Sequence, residues 1–161
     1  MCSLNLNHLI AFTAPEFQAI LTISFFVDFT QRILIEGFDL NPSFRAILNA
    51  TNQSPLGRHT NVVHITQVQD NNMLKPIARK FVFTHPQFRP WGLRLPISCE
   101  KCGAPQPWGD VMNQNSTYVF YCRGKQCSGE FRAERPAGFD RNETKGGHWM
   151  EKQITIWNVS L

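Results

Sequence analysis

Four of the five cysteines in this 161-residue chain fall within one short stretch, and they constrain its fold more than anything else. The stretch opens Cys99-Glu100-Lys101-Cys102, runs through nineteen further residues, and closes Cys122-Arg123-Gly124-Lys125-Gln126-Cys127. Two cysteines separated by two residues can turn both sulfurs toward one ion, and a second close pair about twenty residues on completes a four-ligand set. This is the ligand spacing of a structural zinc site. Four thiolates leave no open coordination position, so the metal implied is Zn2+ holding a fold together rather than one that performs a reaction. A two-cysteine site joined by His148, an iron site, and a pair of local disulfides remain open as alternatives. Cys2 has no close companion and reads as a free thiol. An odd cysteine count with two tight pairs suits a reducing compartment, so the expected location is intracellular, in cytoplasm or nucleus.

The flanks of the cysteine pairs carry strand signals. Ser116 to Tyr121 is rich in β-branched and aromatic residues and runs into Cys122, and Glu130 to Glu134 would be the returning strand. Gly103 allows the tight backbone that follows such a pair. Residues 104–115, with prolines and a tryptophan, read as a loop. A strand entering each knuckle resembles the zinc-ribbon superfamily. The resemblance covers residues 95–135 and is carried by Cys99, Cys102, Gly103, Cys122 and Cys127. It implies an antiparallel four-cysteine ribbon. The second knuckle departs from the usual pattern, with four residues between its cysteines where ribbons repeat a gap of two.

Upstream, Thr13-Ala14-Pro15-Glu16 has the form of a capping box with proline in the first turn. It predicts a helix from Phe17 to Ile35 that stops at Gly37, although the β-branched content also allows a strand near Ile20–Phe26. Apolar residues surround nearly the whole circumference of that helix, so it belongs in a core or against a protein partner. No stretch reads as membrane-spanning: the most apolar window, Leu9 to Val27, is broken by Pro15, Glu16 and Gln18. Phe44, Ile47 and Leu48 set a second, short helix over Ser43–Ala50. Asn61–Val68 and Ile77–His85 read as a β-hairpin about an Asp70-Asn71-Asn72 turn. Three prolines and a glycine between Pro86 and Pro96 exclude regular structure there. Its interleaved rings and arginines (Phe88, Arg89, Trp91, Arg94) read as an extended strap whose rings plug the core while its arginines face water, in preference to an arm that stacks on bases and contacts phosphate. His148 to Val159 reads as a final strand. The fold class expected is α+β, with helical elements and a β-hairpin over 1–86 and the zinc-ribbon module with the last strand over 87–161.

Charge is unevenly placed. The net +4 combines an acidic first half with a second half, 75–161, that holds thirteen basic and seven acidic side chains. Such asymmetry points to an anionic partner, nucleic acid first. The residues expected to make that contact ring the cysteines: Lys101, Arg123, Lys125, Arg132 and Arg135. They would equally shield a negatively charged four-thiolate centre. No HExxH, GxSxG, phosphate-binding loop or dinucleotide fingerprint is present, and no catalytic residue is assigned. The function expected is therefore a noncatalytic zinc-binding module contacting nucleic acid. The alternatives are a protein–protein interaction or scaffold module docked through the apolar N-terminal helix, and an accessory fragment of a larger enzyme. The charged fraction of 17%, below the roughly 25% usual for soluble domains, points to surface covered by a partner or to a fragment of a larger chain.

Overall fold

A computed structural model describes residues 7–50, 55–70, 73–114, 116–137 and 147–154. The chain is a mixture of helices and two antiparallel sheets. It divides into two compact units, residues 1–82 with 149–161 and residues 83–148.

In the first unit, strand β1 (His8–Phe12) pairs with β2 (Val62–Asp70), and β2 pairs with β3 (Met73–Thr84) across nine registered positions from Val62↔Phe81 to Asp70↔Met73. Strand β7 (His148–Ile154) completes the sheet, in the order β1-β2-β3-β7. The predicted hairpin is thus present, longer at its turn end than its β-branched centre suggested. Residues 71 and 72 of its turn, and 155–159 of the predicted last strand, lie outside the described residues. Along β2 the period of two sends Val62, His64 and Thr66 into the interior while Val63 and Ile65 stay half-exposed.

Helix α2 (Leu40–Ala50) covers that inward face. Its apolar residues Leu40, Phe44, Ile47 and Leu48 stand at i, i+4, i+7 and i+8, and all four are buried. The Phe44 ring is the hub of the packing: it stacks on His64 at 4.5 Å, meets Phe81 at 4.9 Å and Phe25 at 5.9 Å. The helix begins three residues earlier than its apolar spacing alone indicates, because the Asp39 carboxylate accepts the Asn41 N–H at 3.0 Å and caps it.

The predicted Phe17–Ile35 helix is a composite. A 3-10 turn (Ala19–Thr22) leads into α1 (Ile23–Phe29), which widens into a π-helical turn (Thr30–Ile35). The capping box does not form. Thr13 is used on the sheet instead: its hydroxyl accepts the Asn61 N–H at 3.2 Å, and the N–H groups of Thr13 and Ala14 donate to the Thr60 hydroxyl at 2.9 and 3.0 Å. Thr22 and Phe25 are buried, with Phe29 and Ile33 half-buried, so the segment has a clear inner side. A one-turn helix, α3 (Leu56–His59), leads back to β2. Among the described residues no helix is long and apolar enough to cross a membrane.

In the second unit, β4 (Trp108–Gln114), β5 (Thr117–Cys122) and β6 (Glu130–Glu134) form a three-stranded antiparallel sheet in that order. The reading of 104–115 as a loop is corrected here, since most of it is strand. Pro105, Pro107 and Gly109 suggest a break, but a bulge between Trp108 and Val111 absorbs the irregularity and pairing resumes at Val111↔Phe120. The proline-rich strap forms a tight turn closed by reciprocal backbone hydrogen bonds between His85 and Arg89 and then a 3-10 turn at Pro90–Gly92. Trp91 is buried there against Tyr118, 5.0 Å between ring centroids, so this ring plugs a core as the strap reading has it. Arg89 departs from that reading: it is buried rather than facing water, with its Nε donating to the Gly92 carbonyl at 3.3 Å.

Candidate metal centre

Three backbone devices bring the four sulfurs together. In the first knuckle, Gly103 adopts a left-handed φ of +70° and its N–H donates to the Cys99 carbonyl at 2.8 Å, while the Cys99 N–H donates to the Ala104 carbonyl at 3.0 Å. Strand β5 then delivers Cys122, whose N–H donates to the Gly129 carbonyl at 2.8 Å. The long second knuckle closes through the Cys127 N–H to the Gly124 carbonyl, 3.0 Å, with Gln126 in left-handed geometry at φ +58°. The extra two residues of the four-residue gap are thus folded into a turn, and Cys127 returns to the site.

The sulfurs of Cys99, Cys102, Cys122 and Cys127 all lie within 4.8 Å of one another, close enough to hold one metal ion. The Cys99–Cys127 and Cys102–Cys122 separations are 3.8 and 3.6 Å. A tetrahedron with bonds of about 2.3 Å has sulfur–sulfur edges of about 3.8 Å. A disulfide needs about 2.05 Å, so the local-disulfide alternative does not fit. His148 is not among the clustered ligands.

The sulfurs are also dressed as thiolate ligands are. The Gly124 N–H points at Cys122 Sγ and the Gly129 N–H at Cys127 Sγ, each at 3.3 Å. Hydrogen bonds from the Cys102 and Lys101 backbone, helped by neighbouring sulfurs, pull the Cys99 thiol down to about 7 against its burial. At Cys122 the Gly124 N–H lowers the pKa, but burial and the other three sulfurs outweigh it and push the thiol up to about 12. Cys127 behaves alike: the Gly129 N–H is outweighed by burial and by Cys102 and Cys99, and the net shift is upward. Crowded sulfurs of this kind resist carrying their charges together unless a cation sits among them.

Gly129 makes the close packing possible. A Cβ at this position would lie 2.6 Å from Cys99 Sγ and 3.2 Å from Cys127 Sγ. Gly129→Ala is therefore expected to displace a ligand sulfur and lower metal affinity by about tenfold or more, roughly 1.4 kcal/mol. Competition with a chromophoric chelator measures this, and unchanged affinity would refute the packing argument.

The five basic residues differ in what they touch. The Lys101 ammonium donates to the Ser128 hydroxyl and carbonyl at 3.0 and 3.3 Å, tying the two knuckles together. Arg123 pairs with Asp110 at 3.3 Å and Arg132 with Glu130 at 2.9 Å, all exposed. Lys125 is exposed, and Arg135 is half-buried just past β6. Lys101 and Arg132 do share one feature, a cleft of about 400 Å³ beside Cys99. Its other lining residues include Trp108, Phe131, Glu100 and Glu130. The Trp108 indole N–H donates to the Pro96 carbonyl at 2.7 Å, which fixes the ring, and Phe131 is tilted against it at 5.8 Å. Neither aromatic residue stands out in the sequence. The alternation within β6 is the signal that places Phe131 and Ala133 on one face, opposite Glu130 and Arg132.

Comparison with protein families, with curated proteins and with solved structures gives no match. The class the structure defines is an α+β chain carrying a four-cysteine site that can hold a metal ion.

Proposed function

We propose that this is a noncatalytic zinc-binding module in which Cys99, Cys102, Cys122 and Cys127 hold one structural Zn2+ in a ribbon-like arrangement, and that the surface beside this centre contacts nucleic acid. The cleft next to Cys99 carries the reading. It combines two cations, Lys101 and Arg132, with two rings, Trp108 and Phe131. Single-stranded nucleic acid is bound by that combination, with bases on aromatic faces and phosphates on basic side chains. The ion pairs of Arg123 and Arg132 are exposed and screened by water, so phosphate can replace their carboxylates. Arg123, Lys125 and Arg135 would extend the contact. Reduced thiols in such a centre suit an intracellular compartment.

Fluorescence anisotropy with a labelled single-stranded oligonucleotide tests this. Affinity should fall steeply with salt, by a slope of about 0.7 per phosphate contacted. Arg132→Glu and Lys125→Glu should each weaken binding, and Trp108→Ala should cost about 1–3 kcal/mol. Affinity independent of salt and of all three variants, in protein that retains its metal, would sink the nucleic-acid reading.

A second reading is docking of a protein partner through the N-terminal helical segment. One observation favours it: Ile20, Ile23, Phe26, Val27, Leu34 and Ile35 of that segment are all exposed.

A further inference from the structure

The helical run from Ala19 to Ile35 buries one side, through Thr22 and Phe25, and presents the opposite side to water. Ile20, Ile23, Phe26, Val27, Leu34 and Ile35 are between 47% and 71% exposed. An aromatic side chain offers roughly 150–250 Å² when buried and an aliphatic one less, so these six leave on the order of 600 Å² of surface in water. The largest apolar patch on an ordinary monomer is about 300–600 Å². One side of a standard protein–protein interface is about 800 Å². The stripe thus approaches the area of half an interface.

Its chemistry narrows the occupant. The exposed stripe carries no charge, and residues 13–44 hold one basic residue, Arg32, against Glu16, Asp28, Glu36 and Asp39. Helices that lie on anionic membranes need basic residues along their polar face, and nucleic acid needs them everywhere. Neither partner fits here. An uncharged stripe meets a copy of itself without like-charge repulsion. It also has relief: a shallow groove of about 680 Å³ runs between Ile23, Phe26, Val27 and Ile35. Ile20 and Leu34 are exposed on the same run. A two-fold contact requires groove and projection on one surface, since each copy supplies both.

We infer that this stripe is an isologous interface through which two copies of the chain pair. The inference rests on the docking reading of the same face and names its occupant. Sedimentation equilibrium on the full, metal-loaded chain, from about 1 µM to about 100 µM, should show the mass rising from 18.5 kDa toward twice that value. Ile23→Glu with Val27→Glu should weaken pairing by about 100-fold or more while circular dichroism stays unchanged, because both side chains face water. If that protein does not fold, Ile35→Ser serves as the milder variant, with weakened pairing again expected. A wild-type chain that remains at 18.5 kDa throughout overturns the inference, and so does a dimer indifferent to every stripe variant that folds. The docking reading fails separately: a monomer that still captures a different protein, lost with Ile23→Glu, keeps docking and refutes pairing. A monomer with no such capture refutes both.

Discussion

Removing the metal from the purified chain, by chelation or by Cys99→Ser, is expected to unfold the cysteine unit. Elemental analysis should find one zinc per chain in the wild type and a large loss in the variant. Amide protection should collapse across β5 and β6, the strands that flank Cys122 and Cys127. The size of the effect follows from what else holds these strands. The three short strands bury few residues: Tyr118, Phe120 and Ala133 on one face of the sheet, with Trp91 against Tyr118, and Val119 on the other. A structural zinc contributes about 10–16 kcal/mol in small domains, as much as the whole stability of a typical one, about 5–15 kcal/mol. Cys99 is buried and its sulfur meets Cys127, so serine there removes a ligand from the interior of the site. Retention of both zinc and amide protection in Cys99→Ser would refute the metal-held fold.

The same centre sets a pH dependence for metal uptake. With Cys122 raised to about 12 and Cys127 raised as well, both thiols hold protons at neutral pH until a cation displaces them. Metal uptake must release those protons, so affinity rises with pH and falls in acid.

How much of this was legible in the sequence depends on how local each feature is. The i, i+4, i+7, i+8 pattern of Leu40, Phe44, Ile47 and Leu48 is a one-helix property, and it marks α2 and its buried side. The β-branched hairpin strands and the two cysteine knuckles are short-range signals too. What escaped needs partners far along the chain. β1 is five residues long and shows no alternation; its register against Val62–Thr66 makes it a strand. The capping box at Thr13 is locally sound, yet the Thr60 hydroxyl and Asn61 amide compete for the same groups and win. In β4, Gly109 looks like a breaker, but its missing side chain makes room for Arg123, whose Nε would lie 2.9 Å from a Cβ there. The cleft is hidden for the same reason, since Trp108 and Phe131 meet only once β4, β5 and β6 are in register.

His64 is the clearest case of a property invisible before folding, and acidification should expose it. In the sequence it is one of five scattered histidines. In the fold it is fully buried, stacked against Phe44 of α2 at 4.5 Å and against His8 of β1 at 5.3 Å. His8 Nδ1 and His64 Nε2 are 3.2 Å apart, and Arg79 of β3 stands directly opposite in register. Arg79 is itself paired with Glu151 of β7, 3.7 Å. Burial first, then His8 and Arg79, lowers the His64 pKa to about 4. A base depressed in this way stays neutral in the native state while the unfolded chain takes up a proton near 6.5. Its contribution to stability is therefore complete above pH 6.5 and is lost as pH falls toward 4. The gap corresponds to about 3 kcal/mol. Urea unfolding of the first sheet at pH 7 and pH 4.5, compared between wild type and His64→Phe, isolates this component from the acid sensitivity of the thiolate centre, which both proteins share. Phenylalanine can keep the stack on Phe44 and has no proton to gain, so the stability difference should shift toward the variant by most of those 3 kcal/mol on acidification. A difference that does not change with pH would mean that His64 is not held neutral by its surroundings.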